Sequence, residues 1–282
     1  LGHDVVPIDV GHDLVAQLRE AAPDVAFVAL HGRDGEDGTV QELLEVLGIP
    51  YTGSRVSACM RSCDKVLAKH AFADAGLPTP DFFSFSQTAF SDLGAAEALG
   101  AIEERLAFPL VVKPARQGSA LGIKFARDAG AVPSALVAAF SYDSKILLER
   151  YVNGRDLAVS VLDGEALPIV EAVPRDREFY DFDARYEIGR TEFVCPAELP
   201  AESTARAQEL AVAAYRLLGC EGFARVDLLC DRETGALHLL EVNPVPGLTE
   251  TSLLPLAADA AGISFEEFVA RVLELAPRGA AA

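Results

Sequence analysis

The chain has 282 residues, half of them hydrophobic and 24% charged, with a formal charge of −19. That length holds two or three compact units, and so acidic a balance argues against a nucleic-acid surface or an anionic membrane as partner. No apolar run has the length of a membrane span, and five cysteines without a paired framework make the reducing cytoplasm the expected compartment.

Residues 1–58 alternate strand and helix: a short strand over 5–10, a helix over 13–22, an apolar strand over 25–30, a helix over 39–47 and a strand approaching Tyr51. This pattern predicts a parallel, doubly wound sheet. The chain opens at Leu1 on residues that already pattern as a strand, so a preceding segment is expected upstream. The crowded loop His31-Gly32-Arg33-Asp34-Gly35-Glu36-Asp37-Gly38 follows a strand end, where open α/β sheets carry ligand loops; a plain polar surface loop is the alternative.

A helix over 59–76 ends at Gly76, and Pro78 and Pro80 mark an extended connector. Cys59 and Cys63 share a face of that helix, but no histidine or second cysteine pair completes a zinc site, so burial is expected. The second unit, 59–152, holds strands over 110–113 and 121–126, a helix over 132–140 and a strand edge over 145–149. The third, 153–282, opens at Asn153-Gly154. Its strands over 157–162 and 167–173 flank Asp163-Gly164, a hairpin signal. An irregular stretch over 174–200, with Phe179, Tyr180, Arg185 and Tyr186, has the length of a lid. A helix over 202–218 precedes a strand pair, 223–230 and 236–242. In the last helix Ser264 is the cap, with Glu267 three residues on.

The strand pair carries Asp227, Glu241 and Asn243, with a Pro/Gly turn behind them. Alternation sends Glu241 and Asn243 to one face. Carboxylate and amide oxygens on a rigid sheet suit Mg²⁺, whose shell nucleotide phosphates usually complete. Two such ions with ATP form a phosphoryl-transfer site. Val112-Lys113-Pro114-Ala115-Arg116-Gln117-Gly118-Ser119-Ala120-Leu121-Gly122-Ile123 is strand, small-residue loop and strand. Its glycines allow backbone N–H groups close to phosphate and Lys113 supplies a charge; a glycine-rich hairpin turn is the alternative. Lys65 alone reads as a solvated lysine. Glu149-Arg150-Tyr151-Val152 borders either an adenine pocket, with Glu149 accepting from the amino group, or a hinge into the next unit.

Together, Leu30-His31-Gly32-Arg33, Gly35-Glu36-Asp37-Gly38, Tyr51-Thr52-Gly53-Ser54, Asp64-Lys65, Val112-Lys113-Pro114, Gly118-Ser119, Phe179-Tyr180-Asp181, Cys195-Pro196-Ala197, Gly219-Cys220, Arg225-Val226-Asp227 and Leu240-Glu241-Val242-Asn243 run in family order over essentially the whole chain. They resemble the D-alanine–D-alanine ligase family of ATP-grasp enzymes. The resemblance implies an α/β fold: a partial doubly wound N-terminal domain over 1–58, then two ATP-grasp subdomains, 59–152 and 153–282, clasping ATP. It implies nucleotide contacts from Lys65, Lys113, Glu149, Tyr151, Val152, Asp156 and Arg185, and Asp227, Glu241 and Asn243 as ligands of two Mg²⁺ ions, with Mn²⁺ as a substitute. Arg225 and the Gly247 N–H are implied to hold the tetrahedral oxyanion. Ser252 and Leu253 would grip the second substrate and His31 would serve the substrate site. Ser119 and Tyr186 would close the lid. The implied reaction joins two D-alanines, through an acyl phosphate, into a peptidoglycan precursor. A homodimer through the N-terminal domain is implied too.

The chain departs from the family pattern in four places. The opening strand, loop and helix, with a glutamate for the first substrate's ammonium, are missing. Pro244 stands where threonine is usual, Glu250 and Thr251 alter the second-substrate pocket, and Arg185 replaces lysine. Tyr186 favours an amine second substrate. The alternatives are a related ligase with another second substrate and a catalytically weak ATP-binding homologue.

Overall fold

The computed structural model describes all residues except Arg33, 175–190, Glu250 and 277–282. In the N-terminal part, α1 (Leu14–Ala21) and α2 (Thr39–Leu47) pack Leu14, Leu18, Val40 and Leu44 around Val28 and Tyr51, and Val245 from the far end of the chain joins them. The pairing there among described residues is one parallel bridge, Ala26 with Tyr51. Residues 5–10 are not the expected strand: a strand needs a neighbour for its amides, and these residues find none and lie mostly exposed.

The helix expected over 59–76 is two helices, α3 (Val56–Cys63) and α4 (Lys65–Asp74). Asp64 breaks them. Its backbone is extended, and its carboxylate accepts from Val66 N at 3.0 Å and Leu67 N at 3.1 Å, an N-cap that starts α4 at Lys65.

Strands β1 (Phe82–Ser86), β2 (Leu110–Pro114), β3 (Lys124–Ala126) and β4 (Lys145–Arg150) form an antiparallel sheet in the order β1-β4-β2-β3. The strand expected from residue 121 starts at Lys124, because Gly118–Leu121 closes a turn with Ser119 and Ala120 both in the left-handed region. Alternation puts Leu110, Val112, Ile146 and Leu148 on one face, under α6 (Leu99–Leu106) and α7 (Val132–Phe140); the short α5 (Gln87–Asp92) follows β1. The other face carries Val111, Lys113, Leu147 and Glu149, by the register of β2 against β4.

The second sheet is built from β5 (Gly154–Leu162), β6 (Glu165–Ala166), β7 (Val170–Pro174), β8 (Thr191–Val194), β9 (Phe223–Asp231) and β10 (Leu237–Asn243). Its order is β10-β9-β5-β7-β8, all antiparallel, with β6 beside β5 across the Asp163-Gly164 turn, where both residues have positive φ. Helix α8 (Ala201–Leu218) buries Leu157, Val159, Val226 and Leu228 on one face; α9 (Leu253–Ala260) and α10 (Phe265–Leu275) bury Ala158, Val170 and Phe223 on the other. Ser264 caps α10 by accepting from Glu267 N. Among the described residues no helix is long and apolar enough to cross a membrane.

Candidate active site

In the β9–β10 ladder Glu241 stands opposite Asp227 and Asn243 opposite Arg225, so these four polar side chains share one face. A register shift between Leu239 and Glu241 makes this possible. Leu237, Leu239 and Val242 all enter the apolar core; without the shift Glu241 would share their side. Arg225 donates to Asp227 through Nε at 2.7 Å and Nη2 at 2.9 Å, a bidentate pair on a side chain only 9% exposed. The Lys65 ammonium lies 2.9 Å from Glu241 Oε2 and donates to the Gln117 carbonyl at 2.7 Å. It therefore ties the metal-type carboxylate to the glycine loop. Asn243 Oδ1 accepts from Val245 N at 3.1 Å, spanning Pro244 and fixing the amide's direction.

On the first sheet Lys113 Nζ donates to Glu149 Oε1 at 2.7 Å, and the fully buried Lys69 lies 2.6 Å from Glu149 Oε2. Burial alone would raise the Glu149 carboxyl, but Lys113 and Lys69 outweigh it and hold it below the ordinary carboxylate range. Burial lowers the Lys69 ammonium while Glu149 pulls it back up. Both oxygens of Glu149 thus face lysines, an arrangement that the adenine role alone does not require. Tyr151 meets Phe125 edge-on at 6.1 Å between ring centroids, and Val152 is buried. Asp156 lies two residues from Ala158, the β5 partner of Asp227, and so faces the same side of the sheet.

A third group gathers around Gly247. A Cβ on Gly247 would come within 2.5 Å of Ser252 Oγ and 3.5 Å of His31 Nε2, so only glycine allows this approach. Ser252 shares a 2.8 Å hydrogen bond with Thr249 Oγ1, and Leu253 begins α9. Glu36 accepts from Gly32 N at 2.8 Å, lies 3.5 Å from His31 Nδ1, and faces the glycine loop, 3.6 Å from where a Cβ on Gly118 would sit. Ser119 holds its turn at φ +55. Arg185, Tyr186, the Phe179-Tyr180-Asp181 motif and Glu250 lie outside the described residues. Lys69 and Thr79 are absent from the sequence reading; the signal for Lys69 is its position one helical turn after Lys65.

The donor chemistry fits Mg²⁺: two carboxylates and an amide oxygen, all hard ligands, on one rigid face. Among the described residues no three His, Cys, Asp or Glu side chains gather into a metal cage. Burial pushes the Cys59 thiol up to about 12 and Cys63 to about 11, which keeps both protonated.

Residues 71–274 match the family profile of the D-ala D-ala ligase C-terminus, and residues 9–54 that of the D-ala D-ala ligase N-terminus. The chain belongs to the D-alanine–D-alanine ligase family. It is 45% identical to the D-alanine–D-alanine ligase of Geobacter sulfurreducens over 96% of this chain and 83% of that protein. With the Moorella thermoacetica D-alanine–D-alanine ligase the identity is 43%, over 98% and 89%. A crystal structure of the Bacillus anthracis D-alanine–D-alanine ligase complexed with ATP superposes with a TM-score of 0.81 at 34% identity, over 96% of this chain and 85% of that one. The two antiparallel sheets, linked by Lys65 through Glu241 on β10 and the Gln117 carbonyl after β2, make up an ATP-grasp fold.

Proposed function

We infer that this chain uses ATP to join two D-alanines into D-alanyl-D-alanine. The observation that carries the reading is the Asp227–Glu241 pair facing the cleft beside Arg225 and Asn243, with Lys65 reaching across to the glycine loop. The proposed division into 1–58, 59–152 and 153–282 puts ATP between the second and third units; the sheet of the second has its own core under α6 and α7, while Ala68 and Phe72 of α4 pack into the core of the third.

Bound at Asp227, Glu241 and Asn243, Mg²⁺ would neutralise phosphate charge in the transition state. Lys113 and Lys65 contribute fixed cations to the phosphates, and Tyr151, Val152 and Asp156 line the nucleoside end. A carboxylate oxygen of the first D-alanine attacks the γ-phosphorus in line, and the bond to the bridging oxygen of ADP breaks. The amine of the second D-alanine then attacks the acyl carbon, loses a proton, and phosphate departs. Arg225 and the Gly247 N–H donate to the oxyanion formed in that step. Ser252 and the start of α9 at Leu253 hold the second carboxylate, where a helix N-terminus favours an anion. His31, positioned by Glu36, serves the substrate end, and Ser119, Tyr186 and Arg185 close over the acyl phosphate to exclude water.

The test is phosphate release with Mg-ATP and D-alanine, against L-alanine and no amino acid. Release that requires D-alanine is the expected result. Release indifferent to the amino acid, or none while ATP still binds, rejects D-alanine as the substrate of this chain.

A further inference from the structure

The proposed chemistry leaves unused a polar chain that runs from the fully buried Lys69 through the half-buried Thr79. Lys69 is fully buried, lies 2.6 Å from Glu149 Oε2 on β4, and donates to Thr79 Oγ1 at 2.5 Å. Thr79 Oγ1 donates in turn to the Leu239 carbonyl at 2.8 Å, and Leu239 N donates to the Pro78 carbonyl at 2.8 Å. Leu239 borders the register shift in β10, two residues before Glu241, which the shift places opposite Asp227.

A lysine in this place is costly to bury, and a methionine of similar size would pack without that cost. Apolar contact between the two sheets is non-directional and fixes no register. The connector that carries Thr79 also borders an open surface groove, lined by Leu77, Phe82 and Arg105 among others. Hydrogen bonds to β10 supply the missing definition.

We propose that Lys69 and Thr79 are positioning residues, forming a strut that sets Glu149 on β4 against Glu241 on β10. The strut aligns the nucleotide-binding strand with the metal-binding strand and acts on substrate only through them. It rests on the assignment of Glu241 to the metal–nucleotide site.

The experiment is equilibrium binding of a non-hydrolysable ATP analogue to the full chain, with and without Mg²⁺, accompanied by thermal melts. Wild type, Thr79→Val and Thr79→Ser are compared. Thr79→Val should bind the metal-free analogue within about twofold of wild type but lose at least about tenfold of the affinity that Mg²⁺ adds, and Thr79→Ser should restore it. Thr79→Ala repeats the test without the added branch and must move the same constant. A lowered melting point with the Mg²⁺ increment intact makes Thr79 merely structural and overturns the strut, as does failure of serine to rescue. A wild type that gains nothing from Mg²⁺ refutes the underlying metal assignment instead, and the strut falls with it.

Discussion

At Glu241, replacement by glutamine keeps the side-chain volume and one carbonyl oxygen while removing the charge that faces Lys65 at 2.9 Å. Glu241 is 22% exposed and Lys65 11%, and Lys65 keeps its bond to the Gln117 carbonyl, so the variant should still fold at a cost between that of a surface bridge, about 0–1 kcal/mol, and that of a broken buried pair, about 3–5 kcal/mol. Phosphoryl transfer should fall by more than about 100-fold, beyond what loss of an outer-shell partner usually costs. Single-turnover assays beside circular dichroism would measure both, and retained turnover would remove Glu241 from the metal set. Lys69 behaves oppositely because it has no water to fall back on. Lys69→Met strands one side of a buried carboxylate, a change expected to destabilise by about 3–5 kcal/mol. Urea denaturation of Lys69→Met/Glu149→Gln should recover part of that loss; strictly additive effects would mean that the two side chains do not interact.

At the scale of elements, the cap of α4 governs where Lys65 points. Asp64→Ala removes the acceptor for Val66 N and Leu67 N and should cost about 1 kcal/mol. Because Lys65 is the first residue of that helix, nucleotide affinity should weaken several-fold, while Asp64→Asn, another good cap, should retain both properties. Unchanged nucleotide binding in the alanine variant would separate Lys65 from its cap. The same residue shows what the sequence reveals and what it conceals. Helices α2 and α7 are legible because periodicity and turn residues agree over their whole lengths, and the β9–β10 pair because two apolar runs flank a turn. The α3–α4 break is hidden because Asp64 interrupts a helical pattern that continues on both sides. Residues 5–10 pattern as a strand, yet strand formation depends on a neighbour that composition cannot report. In β10 the doubled Leu239-Leu240 breaks the alternation, which makes the register shift readable once the strand is known. Asp227, Glu241 and Asn243 are legible as a set because alternation alone groups two of them. The Thr79–Leu239 link joins residues 160 apart and leaves no local trace.

Across the whole molecule, ionisable groups are drawn into the junction of the two sheets, and acid stability follows from that. His238 on β10 is lowered from its ordinary value, first by burial and then by Arg150, with Asp231 opposing. In the folded chain it is therefore neutral at a pH where the unfolded chain, titrating near 6.5, takes up a proton. Protons bind the unfolded state more, so stability is fully present above about pH 6.5 and declines as pH falls through the lowered folded value. One proton limits that slope to about 1.4 kcal/mol per pH unit. The second stage lies lower. Glu149, despite its burial, is held below the ordinary range by Lys113 and Lys69, and Asp143, likewise against burial, by Arg116. Their contributions persist above about pH 4 and vanish as pH falls through their depressed values. The net charge of −19 works the other way, since protonation relieves self-repulsion, but few carboxylates titrate between pH 5 and 7. Urea midpoints from pH 8 to 3 should therefore show a shallow fall beginning near 6.5 and a steeper one below 4. His238→Gln should abolish the first and leave the second. If the glutamine variant keeps the shallow fall, another group carries it and the buried-histidine account fails.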